Sequence, residues 1–144
     1  MPGGPRGPVE VHGTAVSVDG RGLLILGPSG SGKSRLAVEM MALGAGLVAD
    51  DRVEIGPGRP PLLAAPARWP GLIEVRGLGL IRVEPAGPVP CHAAIDLGAG
   101  DGGRLPDHGT LTLGGADVTC LRWGEGRPYA AALMLYLRCT CERG

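Results

Sequence analysis

The sequence predicts an α/β fold with a mixed, partly antiparallel sheet built around one strand–loop–helix unit. Three observations carry that expectation. An apolar run, Leu23-Leu24-Ile25-Leu26, leads into Gly27-Pro28-Ser29-Gly30-Ser31-Gly32-Lys33-Ser34, and the helix-compatible residues 35–43 follow. Short apolar, β-branched runs recur through the rest of the chain, whereas only two stretches read as helix. Asp19-Gly20 is a two-residue hairpin signal, so at least one strand pair is antiparallel. A doubly wound sheet would instead alternate strand and helix along its length.

Residues 1–8 are rich in Pro and Gly and are expected to form a disordered tail, with residues 9–144 as a single domain. Residues 9–18 alternate apolar and polar over part of their length, which predicts one strand. Residues 22–26 are its antiparallel partner and deliver the chain into the glycine-rich loop. Residues 34–43 place Leu36, Met40 and Leu43 on one helical face, and Gly44 supplies the stop. Arg35 and Glu39 sit four apart on what reads as a solvated face. Residues 46–49 form a short buried strand that ends in Asp50-Asp51, and residues 52–55 extend it or begin the next. Gly56-Pro57-Gly58-Arg59-Pro60-Pro61 must turn. Residues 62–65, 72–75, 78–83, 93–97, 111–113 and 118–121 are further strand candidates. The last two flank a Gly114-Gly115 turn. Residues 98–109 read as a charged, glycine-rich mobile loop, and residues 129–138 as a closing helix.

The bulk properties narrow the function. A chain of 144 residues is long enough to bury one core. Its net charge of zero and pI near 6.8 argue against a non-specific nucleic-acid binder. No apolar run approaches a membrane span, and residues 1–8 lack the apolar segment of a secretory signal, so a cytoplasmic protein without membrane partners is expected. Cys91, Cys120, Cys139 and Cys141 show no C-x-x-C spacing and read as reduced thiols rather than zinc ligands.

The 27–34 segment is a complete G-x-x-x-x-G-K-S phosphate-binding loop in the strand-to-helix context that such a loop requires. Glycines let successive N–H groups turn inward toward phosphate oxygens, and the helix N-terminus adds partial positive charge. Lys33 can reach β- and γ-phosphates, and the Ser34 hydroxyl can ligate Mg²⁺. An accidental glycine-rich turn is the competing explanation in a chain with 27 glycines. Against it, Lys33 is the sole lysine, while the other thirteen basic residues are all arginine. Lysine stands where a compact ammonium is wanted.

Other candidates surround this loop. Asp50-Asp51 ends a short strand one helix after the loop, where a carboxylate can serve as metal ligand or base. Glu74 and Arg76 lie two apart, so on a strand they face the same way. They suit either an ion pair or a metal ligand beside a phosphate clamp. His12 lies on the strand whose hairpin partner enters the loop. Arg104 lies in the glycine-rich 98–109 loop, where it could close over substrate.

Taken together, these pieces resemble the C-terminal catalytic domain of the HPr kinase/phosphorylase family. The matching residues are Val11-His12-Gly13-Thr14, the 27–34 loop, Leu47-Val48-Ala49-Asp50-Asp51-Arg52-Val53, and Ile73-Glu74-Val75-Arg76-Gly77-Leu78-Gly79-Leu80-Ile81. The last, with E-V-R-G-L-G, is the most specific. The resemblance implies a phosphoenolpyruvate-carboxykinase-like fold and a short form without the N-terminal domain of longer members. It implies ATP and Mg²⁺ as cofactors, with Lys33 on the phosphates and Ser34 and Glu74 on the metal. It implies transfer to a serine of the phosphocarrier HPr, or of a nitrogen-branch relative, in a bacterial phosphotransferase system. One of Asp50 and Asp51 would take the serine proton. In reverse it would assist inorganic phosphate attacking phosphoserine, with pyrophosphate released. His12 becomes an active-site group, Arg104 a phosphate-binding arginine, and Arg76 and Gly77 part of the signature segment. Gly126-Arg127-Pro128 resembles the family segment linked to dephosphorylation, and family members assemble as hexamers.

Two other functions share the loop: a small-molecule kinase, and a non-catalytic ATP-binding regulator. A small acceptor needs a closed polar pocket, whereas a protein acceptor needs an open face beside Asp50-Asp51.

Overall fold

The computed structural model describes residues 9–68, 70–98, 109–123 and 126–139. Among the described residues, eleven strands and two helices are present. The 1–8 tail and most of the 98–109 loop lie outside them.

The first expected strand is two. β1 (Val9–His12) pairs antiparallel with β5 (Arg52–Gly56), whereas β2 (Thr14–Val18) pairs antiparallel with β3 (Arg21–Leu26) and β4 (Gly46–Ala49). The chain changes partner at Gly13. Its N–H donates to the Asp51 carbonyl at 3.1 Å, and a Cβ there would stand 2.9 Å from the Ile25 carbonyl oxygen. Only glycine permits that approach, and the break cannot be seen in a continuous alternating pattern. Asp19 (φ 53°) and Gly20 (φ 80°) close the β2–β3 hairpin with two positive-φ residues, as the dipeptide predicts.

α1 (Lys33–Ala42) ends in paired bonds from Gly44 N–H to the Met41 carbonyl and from Ala45 N–H to the Met40 carbonyl, with Gly44 at φ 113°. That is a Schellman stop. β6 (Leu62–Ala64) pairs antiparallel with β5 on one side and with the start of β9 (Val89–Asp96) on the other. β9 begins four residues before the expected start at Ala93. Its Pro90 pairs with Leu62 at the end facing β6, where pairing is short. β10 (Gly109–Leu113) and β11 (Ala116–Leu121) form a hairpin, and β11 lies parallel to β9.

The main sheet runs β1-β5-β6-β9-β3-β2-β4, with β11 and β10 branching from β9. β3 and β9 are parallel, as are β9 and β11; the other pairs of this sheet are antiparallel. The expected mixed sheet is therefore observed. β7 (Leu72–Val75) and β8 (Gly79–Arg82) form a separate two-stranded hairpin.

Alternation sorts the strands onto two cores. Leu23 and Ile25 of β3 pack with Leu36, Met40, and Leu133 and Leu137 of α2 (Ala130–Cys139). Leu24, between them, points the other way and joins Val53, Ile55 and Leu63 of β5 and β6. The sheet thus curls so that its β5–β6 portion covers the face opposite the helices. No helix among the described residues is long and apolar enough to cross a membrane.

Candidate active site

Five strand ends meet at one edge of the sheet. Leu26 at the end of β3 stands beside Asp96 of β9, and Ile95 beside Leu121 of β11. Thr14 at the start of β2 pairs with Ile25, and Ala15 with Ala49 of β4. The carboxyl ends of parallel strands are where such sheets place ligands.

The glycine-rich loop occupies this edge. Gly27 (φ 148°), Gly30 (φ 83°) and Gly32 (φ 99°) take left-handed or near-mirror conformations that a side chain would strain. A Cβ on Gly27 would lie 2.6 Å from Ser31 Oγ. No side chain caps the N-terminus of α1, and Gly32 stands at its cap position. The first N–H groups of the helix are left for an anion. Lys33 is 7% exposed, and its Nζ donates to the Gly27 carbonyl at 2.8 Å and the Pro28 carbonyl at 3.1 Å. The ammonium is thus tied back onto the loop, a short reach from any phosphate it cradles. Ser31 Oγ is buried without a protein partner.

The two aspartates have different surroundings. Asp50 Oδ1 accepts from Ser34 Oγ at 2.7 Å and from fully buried Thr14 Oγ1 at 2.9 Å. Its Oδ2 faces the Glu74 N–H at 3.5 Å. Asp51 follows with φ 75°, a conformation that few residues other than glycine tolerate but Asp accepts more readily. That turn swings its carboxylate away from Asp50 and toward His12, whose Nε2 stands 3.1 Å from Asp51 Oδ1. The Asp51 side chain is 57% exposed and so open to an acceptor. On a continuing strand, two adjacent carboxylates would point to opposite faces. In the structure the strand has already ended at Ala49, and the positive φ at Asp51 separates them.

The cavity here measures about 1030 Å³, and His12, Lys33, Ser34, Asp50, Asp51 and Glu74 all line it. Ser29, Gly30, Gly32 and Arg76 also reach it. Gly77 (φ 95°) shapes the β7–β8 turn rather than the wall. Glu74 and Arg76 form no ion pair with each other among the described residues. Arg104 lies outside the described residues. Ser34 Oγ, Asp50 and Glu74 present only oxygen donors, the set a hard divalent cation such as Mg²⁺ takes. Groups of three or more His, Cys, Asp or Glu suited to a metal are absent among the described residues, so phosphate oxygens and water would complete any such site.

Two participants were not singled out from the sequence. No local signal marks Thr14: its hold on Asp50 depends on β2–β4 pairing. Arg127 is 96 residues from its partner in the loop, so residue order does not connect them. Its Nη2 donates to the Ser31 carbonyl at 3.2 Å and lies near Gly32, so a guanidinium from the approach to α2 faces the loop.

Known proteins resemble this chain in sequence and in fold. The sequence model of the family described as HPr Serine kinase C-terminal domain matches residues 7–86, more than half the chain. The chain belongs to this family. The HPr kinase/phosphorylase of Aromatoleum aromaticum is 39% identical over 114 residues, covering 69% of this chain and 36% of that protein. The HPr kinase/phosphorylase of Mycoplasmopsis pulmonis is 50% identical over 76 residues, covering 52% of this chain and 25% of that protein. The chain thus spans about a quarter to a third of the length of these curated relatives. The solved structure of the Hpr(Ser) kinase/phosphatase from Coxiella burnetii superposes with a TM-score of 0.78 at 20% identity, over 94% of this chain and 92% of that one. The HPr serine kinase fold, phosphoenolpyruvate-carboxykinase-like, is therefore the fold of this chain.

Proposed function

We propose that this chain is a catalytic domain that uses ATP and Mg²⁺ to phosphorylate a serine of an HPr-like phosphocarrier protein in the cytoplasm. The observation that carries this reading is the His12–Asp51 pair at the open rim of the cavity that also holds Lys33 and Ser34.

The 27–34 loop N–H groups and Lys33 bind and orient the phosphates. Arg127, or Arg104, offsets charge on the transferred group. Ser34 and Glu74 hold Mg²⁺, which would neutralise phosphate charge when bound. Asp50 keeps Ser34 oriented and is itself occupied by Thr14 and the Glu74 N–H. Asp51 is the better base because it is exposed and, among the described residues, has only His12 as side-chain partner. It accepts the serine proton as the hydroxyl attacks, and His12 orients its carboxylate. In reverse, protonated Asp51 returns that proton to the serine oxygen as inorganic phosphate takes the phosphoryl group.

A protein acceptor suits this site better than a small one. The β7–β8 hairpin beside the cavity leaves Leu78 at 78% and Leu80 at 71% exposure. Intact-mass spectrometry of the carrier after incubation with ATP and Mg²⁺ tests the reading. One phosphate on a serine, absent with Lys33→Ala, is expected. An unmodified carrier despite ATP binding would overturn it in favour of a small-molecule kinase or a silent regulator.

A further inference from the structure

A second cavity, of about 880 Å³, lies on the other flank of α1. It is distinct from the space around Asp50 and Asp51, yet the two share Gly32, Arg35 and Arg127. The helix is the partition between them. Arg35, Leu36 and Glu39, spaced three, four and seven residues beyond Gly32, line the second cavity, while Ser34 and Val38 line the first. That is the division a 3.6-residue period imposes. A ligand whose phosphates lie over the N-terminus of α1 can pass Gly32 and Arg127 directly into the second space.

The walls are of a particular kind. Trp123, after β11, is half-buried and meets Tyr129 edge to face, with ring centroids 5.5 Å apart and planes at 80°. These are two of only four Trp and Tyr residues in a chain without phenylalanine. Leu36 and Leu97 supply further apolar surface, and Thr110 and the carboxylates of Asp96 and Glu39 supply polar atoms. One flat aromatic wall, aliphatic contacts and a few hydrogen-bond acceptors suit a planar heterocycle that carries N–H groups and an attached sugar. The volume exceeds what phosphate alone would need and falls in the range of small-ligand pockets.

We propose that this cavity binds the purine base and ribose of the nucleotide whose phosphates occupy the 27–34 loop, with Trp123 as the stacking wall. The proposal rests on the phosphate-loop reading and adds what that loop cannot supply: recognition of the base. Glu39 and Asp96 accept hydrogen bonds from ribose hydroxyls or an exocyclic amino group. Arg35 and Glu39, which read from spacing as a solvated pair and stand 3.4 Å apart, thereby gain a place at the pocket mouth.

Calorimetric titration of the whole chain in Mg²⁺ with ATP and, separately, with inorganic tripolyphosphate tests this. The wild type is expected to bind ATP about ten-fold or more tighter than tripolyphosphate, the scale of one stacking contact. Trp123→Leu and the pocket-filling Thr110→Tyr should each weaken ATP by about ten-fold and leave tripolyphosphate within about two-fold. Lys33→Ala should weaken both ligands. Retained tripolyphosphate binding itself reports an intact loop; if Trp123→Leu loses both ligands by misfolding, Thr110→Tyr decides. Equal wild-type affinity for the two ligands, or unchanged ATP binding in Thr110→Tyr, would overturn the base site while leaving the phosphate loop standing. Failure of the wild type to bind either ligand would overturn both.

Discussion

At the scale of single residues, the division of labour between Asp50 and Asp51 is the sharpest feature. Asp51→Asn removes the proposed proton acceptor, so phosphoryl transfer should fall by about 100-fold or more while ATP binding persists. Asp50→Ala should instead free Ser34 and Thr14, weaken the Mg²⁺ dependence of nucleotide binding, and lower stability by about 1–3 kcal/mol through the orphaned buried Thr14 hydroxyl. Paired turnover and titration measurements separate the two. His92 carries a pH effect. Burial, and then the nearby Arg21 charge, hold its imidazole below the usual histidine value. Its stabilising contribution is therefore present above the unfolded pKa and is lost as pH falls below about 6.5. His92→Gln should lose less melting temperature than the wild type between about pH 7 and about pH 5. Burial pushes the Cys91 thiol up to about 12, whereas Cys139 is exposed. Iodoacetamide should label Cys139 in the native protein and reach Cys91 only after unfolding.

At the scale of elements, the site depends on a crossing that no propensity reports. β1 and β2 separate at Gly13, so one half pairs with β5 and holds His12 beside Asp51, while the other brings Thr14 to Asp50. Gly13→Ala places a methyl group against the Ile25 carbonyl. It should cost about 1–3 kcal/mol in denaturant unfolding and lower turnover more than ATP binding, because β1 must shift. The expected single strand was a fair reading of an alternating run, since side-chain period does not reveal a change of partner. The 27–34 loop and α1 were legible because their requirements are local: glycine for positive φ, one lysine, a helix and a glycine stop. The elements from β9 to α2 were legible as strands and a helix, but not as walls of a cavity, because their meeting depends on β11 lying parallel to β9.

At the scale of the molecule, the core is aliphatic and continuous from sheet to helices. Leu137 of α2 is fully buried against the sheet, and Leu137→Ala should cost about 2–5 kcal/mol in chemical unfolding, since α2 has few large contacts to spare. Because Arg127 and Tyr129 lead into that helix, loosening it should also weaken nucleotide binding. Mg²⁺-ATP should in turn raise the wild-type melting temperature by several degrees, an effect absent in Lys33→Ala.

The phosphate loop, the paired carboxylates, the E-V-R-G-L-G segment and the mixed character of the sheet were all readable from residue order, because each is set by neighbours a few positions away. The hold of Thr14 on Asp50, the pairing of His12 with Asp51, the contact of Arg127 with the loop and the second cavity were not. Each joins residues at least 36 positions apart, as in the bonds from Thr14 to Asp50 and from Arg127 to Ser31, the latter 96 apart. Such contacts arise only when strand pairing and sheet curl bring distant ends to one edge, and the pairing is chosen by the burial of both faces at once rather than by any segment alone.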